Sequence, residues 1–160
     1  MLILMAPLFL LGCQEKSEQR KSVPYVSEEK SAKADRKILS DSEVKDLSNR
    51  LHIINKNLKF QVLVRVIPKV PSEGIERYAA ETFNNIGIGN KFEDRGALFV
   101  LAHVDRQYRL ETGRGTEGFI PDHKAKEIVV AAYPYFKLGQ WYNGINASLN
   151  EFEKQIKEGK

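Results

Sequence analysis

The chain has 160 residues, 42% of them hydrophobic, which suits one domain with a sizeable core. Its 25 Lys and Arg against 21 Asp and Glu leave a net charge of +4. The two signs are interspersed rather than blocked, a solvated surface and not a nucleic-acid-binding stripe. The single cysteine, Cys13, rules out an intrachain disulfide.

The first residues, MLILMAPLFLLGC, are apolar and carry no charge until Glu15. A bilayer span needs about 20 apolar residues, so this stretch reads as the core of a signal peptide. Leu10-Leu11-Gly12-Cys13 resembles a lipobox, in which the cysteine thiol is acylated and the chain is cut just before it. Residues 1–12 are therefore expected to be a lipoprotein signal peptide and Cys13 the lipidation site. No Lys or Arg precedes the apolar core, which points to a start codon further upstream. Residues 13–38 run polar and mixed in charge, with Val23, Tyr25 and Val26 as the main apolar groups. Such a composition predicts a flexible tether, because it buries too little surface to offset its ordering entropy.

Folded elements are predicted from residue 39 onward. Ser40 and Glu43 form a capping box, with Leu39 and Val44 placed as a hydrophobic staple across it. Val44, Leu47, Leu51 and Ile54 follow at helical spacing. The run from Phe60 to Ile67, FQVLVRVI, is β-branched and predicts an interior strand that Pro68 and Pro71 stop. Ile75, Tyr78, Ala79, Thr82, Phe83 and Ile86 trace a second helix, ended by Gly87. The apolar run from Ala97 to Ala102 predicts a strand buried on both faces.

After a tight turn, Gln107 to Thr112 alternates, with Tyr108, Leu110 and Thr112 on one face and Arg109 and Glu111 on the other. Asp122 is the expected cap of a third helix, which Pro134 should kink or end. A last helix carries Ile145, Leu149, Phe152 and Ile156. The order α-β-α-β-β-α-α predicts an α/β fold, a mixed β-sheet with helices packed on it. Strand–helix–strand gives a parallel pair and the hairpin adds an antiparallel strand.

One stretch, Gly87 to Asp122, is richest in motifs. It reads G-I-G-x-x-x-x-D-x-G, an apolar run, then D-R-x-x-R-L-E-x-G-x-G-x-E-G. This pattern, with Pro134-x-Phe136 and Gly139-x-x-x-x-Gly144 later, resembles the TPM domain family over about residues 39–153. The domain itself is expected to span 39–157. The resemblance implies a small α/β domain of bacterial envelope or thylakoid lumen type. Two positions depart from the family pattern. Ile86 stands where a Trp is common, and Val104 replaces one of two hairpin acids.

Gly113-Arg114-Gly115-Thr116-Glu117-Gly118 also spells G-x-G-x-x-G. A dinucleotide site wants the first strand of a βαβ unit and an acid about 20 residues further on. Here the strand is the second arm of a hairpin and Leu138 stands twenty past Gly118, so tight turning through positive φ is the expected role.

Topology sorts the carboxylates Glu93, Asp94, Asp105, Glu111, Glu117 and Asp122. Asp94, Glu117 and Asp122 are expected to converge at one sheet edge. Asp105, in the hairpin, lies roughly 25 Å away at about 3.3 Å per residue. Three carboxylates with carbonyls from glycine-rich loops suit a hard cation, Ca²⁺ first and Mg²⁺ left open. Calcium binding is also what the family resemblance implies; capping and pairing of these acids with Arg95 and Arg114 is the competing role. The opposite edge, with Ser72, Glu73, Asp105 and Arg106, is the second candidate.

His52 and His103 are expected to be structural or exposed, while His123 sits at the acidic edge. No H-E-x-x-H, Walker or G-x-S-x-G motif occurs. The expected function is a lipid-anchored accessory or interaction module of the bacterial cell envelope, on the exported side of the membrane. It is expected to bind a divalent cation and to take a protein partner there, and not to bind nucleic acid. The alternative implied by the resemblance is an acid-phosphatase-like hydrolase. Arg95, Arg114, Gly115 and His123 would then hold phosphate, with Asp94 or Asp122 as base.

Overall fold

Apolar alternation and helical spacing build a sheet between two helical layers. The computed structural model describes residues 23–29 and 37–159; the expected signal peptide and the expected lipidation site Cys13 lie outside them. Its elements are β1 (Val26–Glu28), α1 (Asp41–Leu58), β2 (Gln61–Ile67), α2 (Ile75–Ile86), β3 (Gly96–Ala102) and β4 (Gln107–Thr112). Four helices follow: α3 (Arg114–Glu117), α4 (Asp122–Val130), α5 (Tyr133–Lys137) and α6 (Trp141–Glu158). The sheet runs β1-β2-β3-β4. β1–β2 and β2–β3 are parallel and β3–β4 is antiparallel, so the fold is the mixed α/β sheet that the sequence predicts.

β3 is buried at every residue because both of its faces are covered. On one side Leu98, Val100 and Ala102 meet Ile75, Ala79 and Phe83 of α2. On the other, Ala97, Phe99 and Leu101 meet α1, α4, α5 and α6 in the larger core, which holds Tyr108 and Leu110 from β4. The capping box forms as predicted: Glu43 N–H donates to Ser40 Oγ at 3.2 Å, and Ser40 N–H to Glu43 Oε2 at 2.7 Å. α1 is clasped to α6 by Arg50. Its guanidinium donates to Asn146 Oδ1 at 2.6 Å, Asn150 Oδ1 at 2.7 Å and Glu153 Oε1 at 2.8 Å.

Two expectations are corrected and one is met. Part of the expected tether is a strand, since Val26–Glu28 pairs in parallel with Val64–Val66. Val26 is buried there, Glu28 Oε1 accepts the Ile38 N–H at 2.6 Å, and Glu29 pairs with Arg65. Asp122 does not cap α4; Pro121 holds the cap position and Asp122 is the first helical residue, where its charge still suits the helix dipole. Pro134 does interrupt the third predicted helix, sitting in the first turn of α5 where its missing N–H costs little. Among the described residues no helix is long and apolar enough to cross a membrane.

Candidate functional site at the acidic sheet edge

The edge where β3 begins and β4 ends is built from two loops pressed together. The first leaves α2 at Gly87, makes a short 3₁₀ turn over Asn90–Phe92, and reaches β3 through Glu93 and Asp94. Glu93 and Asp94 have φ of 55° and 60°, the left-handed region that non-glycine residues seldom occupy. Consecutive residues of this kind persist only where the surroundings hold them. Here Arg95 N–H bonds to the Phe92 carbonyl at 2.9 Å, and Gly96 N–H to that of Asp94 at 3.0 Å.

The second loop, Gly113–Gly118, supplies the clamp. Gly113 N–H and Thr116 Oγ1 both donate to the Gly96 carbonyl, at 3.0 and 2.8 Å. A Cβ on Gly113 would lie 2.3 Å from the Asp94 carbonyl oxygen. Positive φ is not the reason for these glycines: Gly113 has φ −79° and Gly118 φ −65°. Close approach of backbone to backbone is what Gly113 and Gly115 serve.

The predicted acids divide between two concavities. Asp94 lines a recess of about 300 Å³ with Asn84, Asn90, Glu111 and Arg114. Glu117 and Asp122 line a groove of about 720 Å³ that runs beside β4 between α2 and α4. Among the described residues no three His, Cys, Asp or Glu side chains are gathered as a metal cage. The expected convergence of Asp94, Glu117 and Asp122 is therefore not seen; the packing that draws the backbones together leaves their carboxylates facing different spaces. Glu111, which lines both concavities, is the acid the topological sorting passed over. Its signal was its place on the strand two residues before Gly113. It is half-paired already, accepting from Arg109 at 3.1 Å.

The residues expected to hold phosphate also separate. Arg114 lines the Asp94 recess, whereas Arg95 lies over the Phe119 ring at 5.3 Å and pairs with Glu93 at 3.3 Å. His123 is exposed on the first turn of α4 and lines neither concavity. Gly115 is packed against the Glu93 backbone. At the opposite edge, Asp105 Oδ2 accepts the Val70 N–H at 2.6 Å, tying the hairpin to the loop after β2, and Ser72 bonds Glu73. His103 meets Trp141 edge-on and His52 meets Tyr25, so both have structural partners.

The TPM domain family profile, labelled TPM_phosphatase, matches residues 33–155. The chain belongs to this family. The TPM domain here resembles the N-terminal domain of a Porphyromonas (P. gingivalis) protein solved by NMR, with TM-score 0.73 and 23% identity over 87% of this chain and 85% of that one. The N-terminal domain of the cg2496 protein of Corynebacterium glutamicum matches with TM-score 0.62 and 13% identity, over 90% and 84% of the two chains. The BA42 protein of Bizionia argentinensis matches with TM-score 0.67 and 19% identity, over 79% and 86%. At such identities the likeness establishes the fold. No curated protein sequence matches the chain.

Proposed function

We propose that this TPM domain is an accessory or interaction module of the bacterial envelope, anchored through lipidated Cys13 and responsive to a divalent cation, with Ca²⁺ the expected ion. The supporting observation is the clamped pair Glu93–Asp94, two adjacent non-glycine residues at positive φ, the second of which lines a recess that also holds Glu111. Stored backbone strain of this kind clusters at ligand sites. Beside Arg114 the recess offers carboxylate, amide and hydroxyl oxygens and neither Cys nor His, a donor set of the kind a hard cation takes. The carboxylates within it, Asp94 and Glu111, fall short of a full cage. Such a charge count suits weak affinity, on the order of 10⁻⁴–10⁻³ M, as in extracellular modules. Glu117 and Asp122 border the neighbouring groove and would add to the field rather than complete the shell.

The test is a calcium titration of the isotope-labelled protein followed through backbone amides. Shifts in residues 93–96 and 111–114 that Asp94→Asn abolishes are the expected result. Shifts centred on Ser72, Glu73 and Asp105 would move the site to the opposite edge. Anchoring is tested separately by Cys13→Ser, which should remove fatty-acid label.

Phosphoester hydrolysis is the second reading. It is favoured by the family label and by Arg114 beside Asp94 in the same recess. Turnover of p-nitrophenyl phosphate lost in Arg114→Gln, with no amide response to calcium, would select it.

A further inference from the structure

β4 is an end strand, and its outer edge carries unused backbone groups. Gly113 N–H donates to the Gly96 carbonyl, so Gly96 and Gly113 form a hydrogen-bonded pair across the antiparallel ladder. Hydrogen-bonded and non-hydrogen-bonded pairs alternate in such a ladder. Gln107, Arg109 and Glu111 thus spend their backbone on β3, whereas Tyr108, Leu110 and Thr112 direct N–H and C=O outward. No backbone or side-chain group among the described residues pairs with those three N–H groups. The groove of about 720 Å³ follows this edge, and the half-exposed Val130 and Tyr133 stand on its rim.

The charged side chains on the α2 face of this strand are Arg109 and Glu111, two residues apart and of opposite sign. Arg109 keeps a buried Nε without any partner. We infer that the β4 edge is a self-complementary docking strand, which takes β4 of a second copy of this chain in antiparallel pairing centred on Leu110. The register follows from two constraints. Outward-facing residues must oppose outward-facing residues, which allows Leu110 opposite Leu110 of the partner subunit and Tyr108 opposite Thr112 of the partner subunit. Arg109 then faces Glu111 of the partner subunit in a non-hydrogen-bonded pair, where opposed side chains are closest. The twofold repeats the contact. Sliding by two residues, the smallest step that keeps the faces, sets Arg109 against Arg109 or Glu111 against Glu111. Charge therefore selects one register. An exposed edge strand is otherwise a site of uncontrolled pairing, and a defined twofold contact uses it. The two four-stranded sheets would join into one of eight strands.

The experiment is sedimentation of the full chain carrying Cys13→Ser, in chelator so that calcium plays no part. A concentration-dependent monomer–dimer equilibrium is expected. Arg109→Glu alone and Glu111→Arg alone should each weaken the dimer by about tenfold or more, since both charge pairs become repulsive. The double variant carrying both reversals should restore it, a rescue that a merely folded or misfolded single variant would not produce. Disulfide trapping fixes the register: a mixture of the Arg109→Cys and Glu111→Cys chains should cross-link, and either chain alone should not. A chain that stays monomeric up to millimolar concentration overturns the inference. So does a dimer indifferent to the single reversals, or a cross-link formed by the Arg109→Cys chain with itself. A monomer whose β4 amides shift instead with an added extended peptide would assign the edge to a different protein and overturn it equally.

Discussion

A Cβ on Gly115 would lie 2.0 Å from the carbonyl oxygen of Glu93, while the space around Gly118, three residues on, is open for at least 4 Å. The two glycines of one motif therefore have opposite tolerances. Gly115→Ala must push the loops apart and should cost about 3 kcal/mol, at the upper end of overpacking effects. Gly118 has φ −65°, within reach of any residue, so Gly118→Ala should stabilise by about 0.4–1 kcal/mol through the unfolded chain. Urea unfolding of the two variants checks both signs.

Removing residues 1–36 deletes β1 and should destabilise the domain. Val26 loses its burial, and the ion pair of Glu29 with Arg65 disappears along with the Glu29–Tyr78 hydrogen bond. The expected loss is about 2–4 kcal/mol, with burial of Val26 the main part. An unchanged denaturation midpoint would show that the strand contributes nothing.

Arg50 makes its bonds to three α6 side chains from a largely covered position. Arg50→Ala leaves Asn146 and Glu153 without their charged donor, and charge-assisted bonds contribute about 1.5–3 kcal/mol. We expect a loss in that range, with amide exchange accelerated in α1 and α6 before the sheet.

The Tyr108 hydroxyl is buried without a hydrogen-bond partner, and burial pushes its pKa well up. Ser148, the polar group beside it, gives its hydrogen to the Ile128 carbonyl at 2.7 Å. Tyr108→Phe removes an unsatisfied group and keeps the ring stacked on Phe99. Stability should hold or rise by up to about 1 kcal/mol. A clear loss in thermal unfolding would mean that the hydroxyl is satisfied in solution.

Glu151 accepts from Gln155 Nε2 at 2.6 Å, and this bond, with lesser help from Lys154, holds its carboxyl below the usual range against the opposing effect of burial. A depressed folded pKa contributes stability above the unfolded value of about 4.3, and that contribution is lost as pH falls through the folded one. Gln155→Met should raise the Glu151 midpoint in a carboxyl-detected titration and flatten the acid limb of the stability profile. An unmoved midpoint would point to Lys154 instead.

Much of this architecture is legible from local pattern. The Ser40–Glu43 box, the αL stop at Gly87, the fully apolar β3 and the alternation in β4 each depend on residues within one element, where spacing alone dictates which face is buried. Two other features were beyond its reach. β1 is three residues long in polar surroundings, and what stabilises it is the open edge of β2, more than thirty-five positions away. The acids at the sheet edge are close along the backbone, but which cavity each carboxylate faces depends on loop packing through Gly113 and Gly115. Sequence by itself determined the order of the main elements from α1 to β4 and the edge at which the acids gather, because those follow from periodicity and chain direction. Only tertiary structure decided that Asp94 faces one space while Glu117 and Asp122 face another, because side-chain direction at a loop is set by contacts distant in sequence.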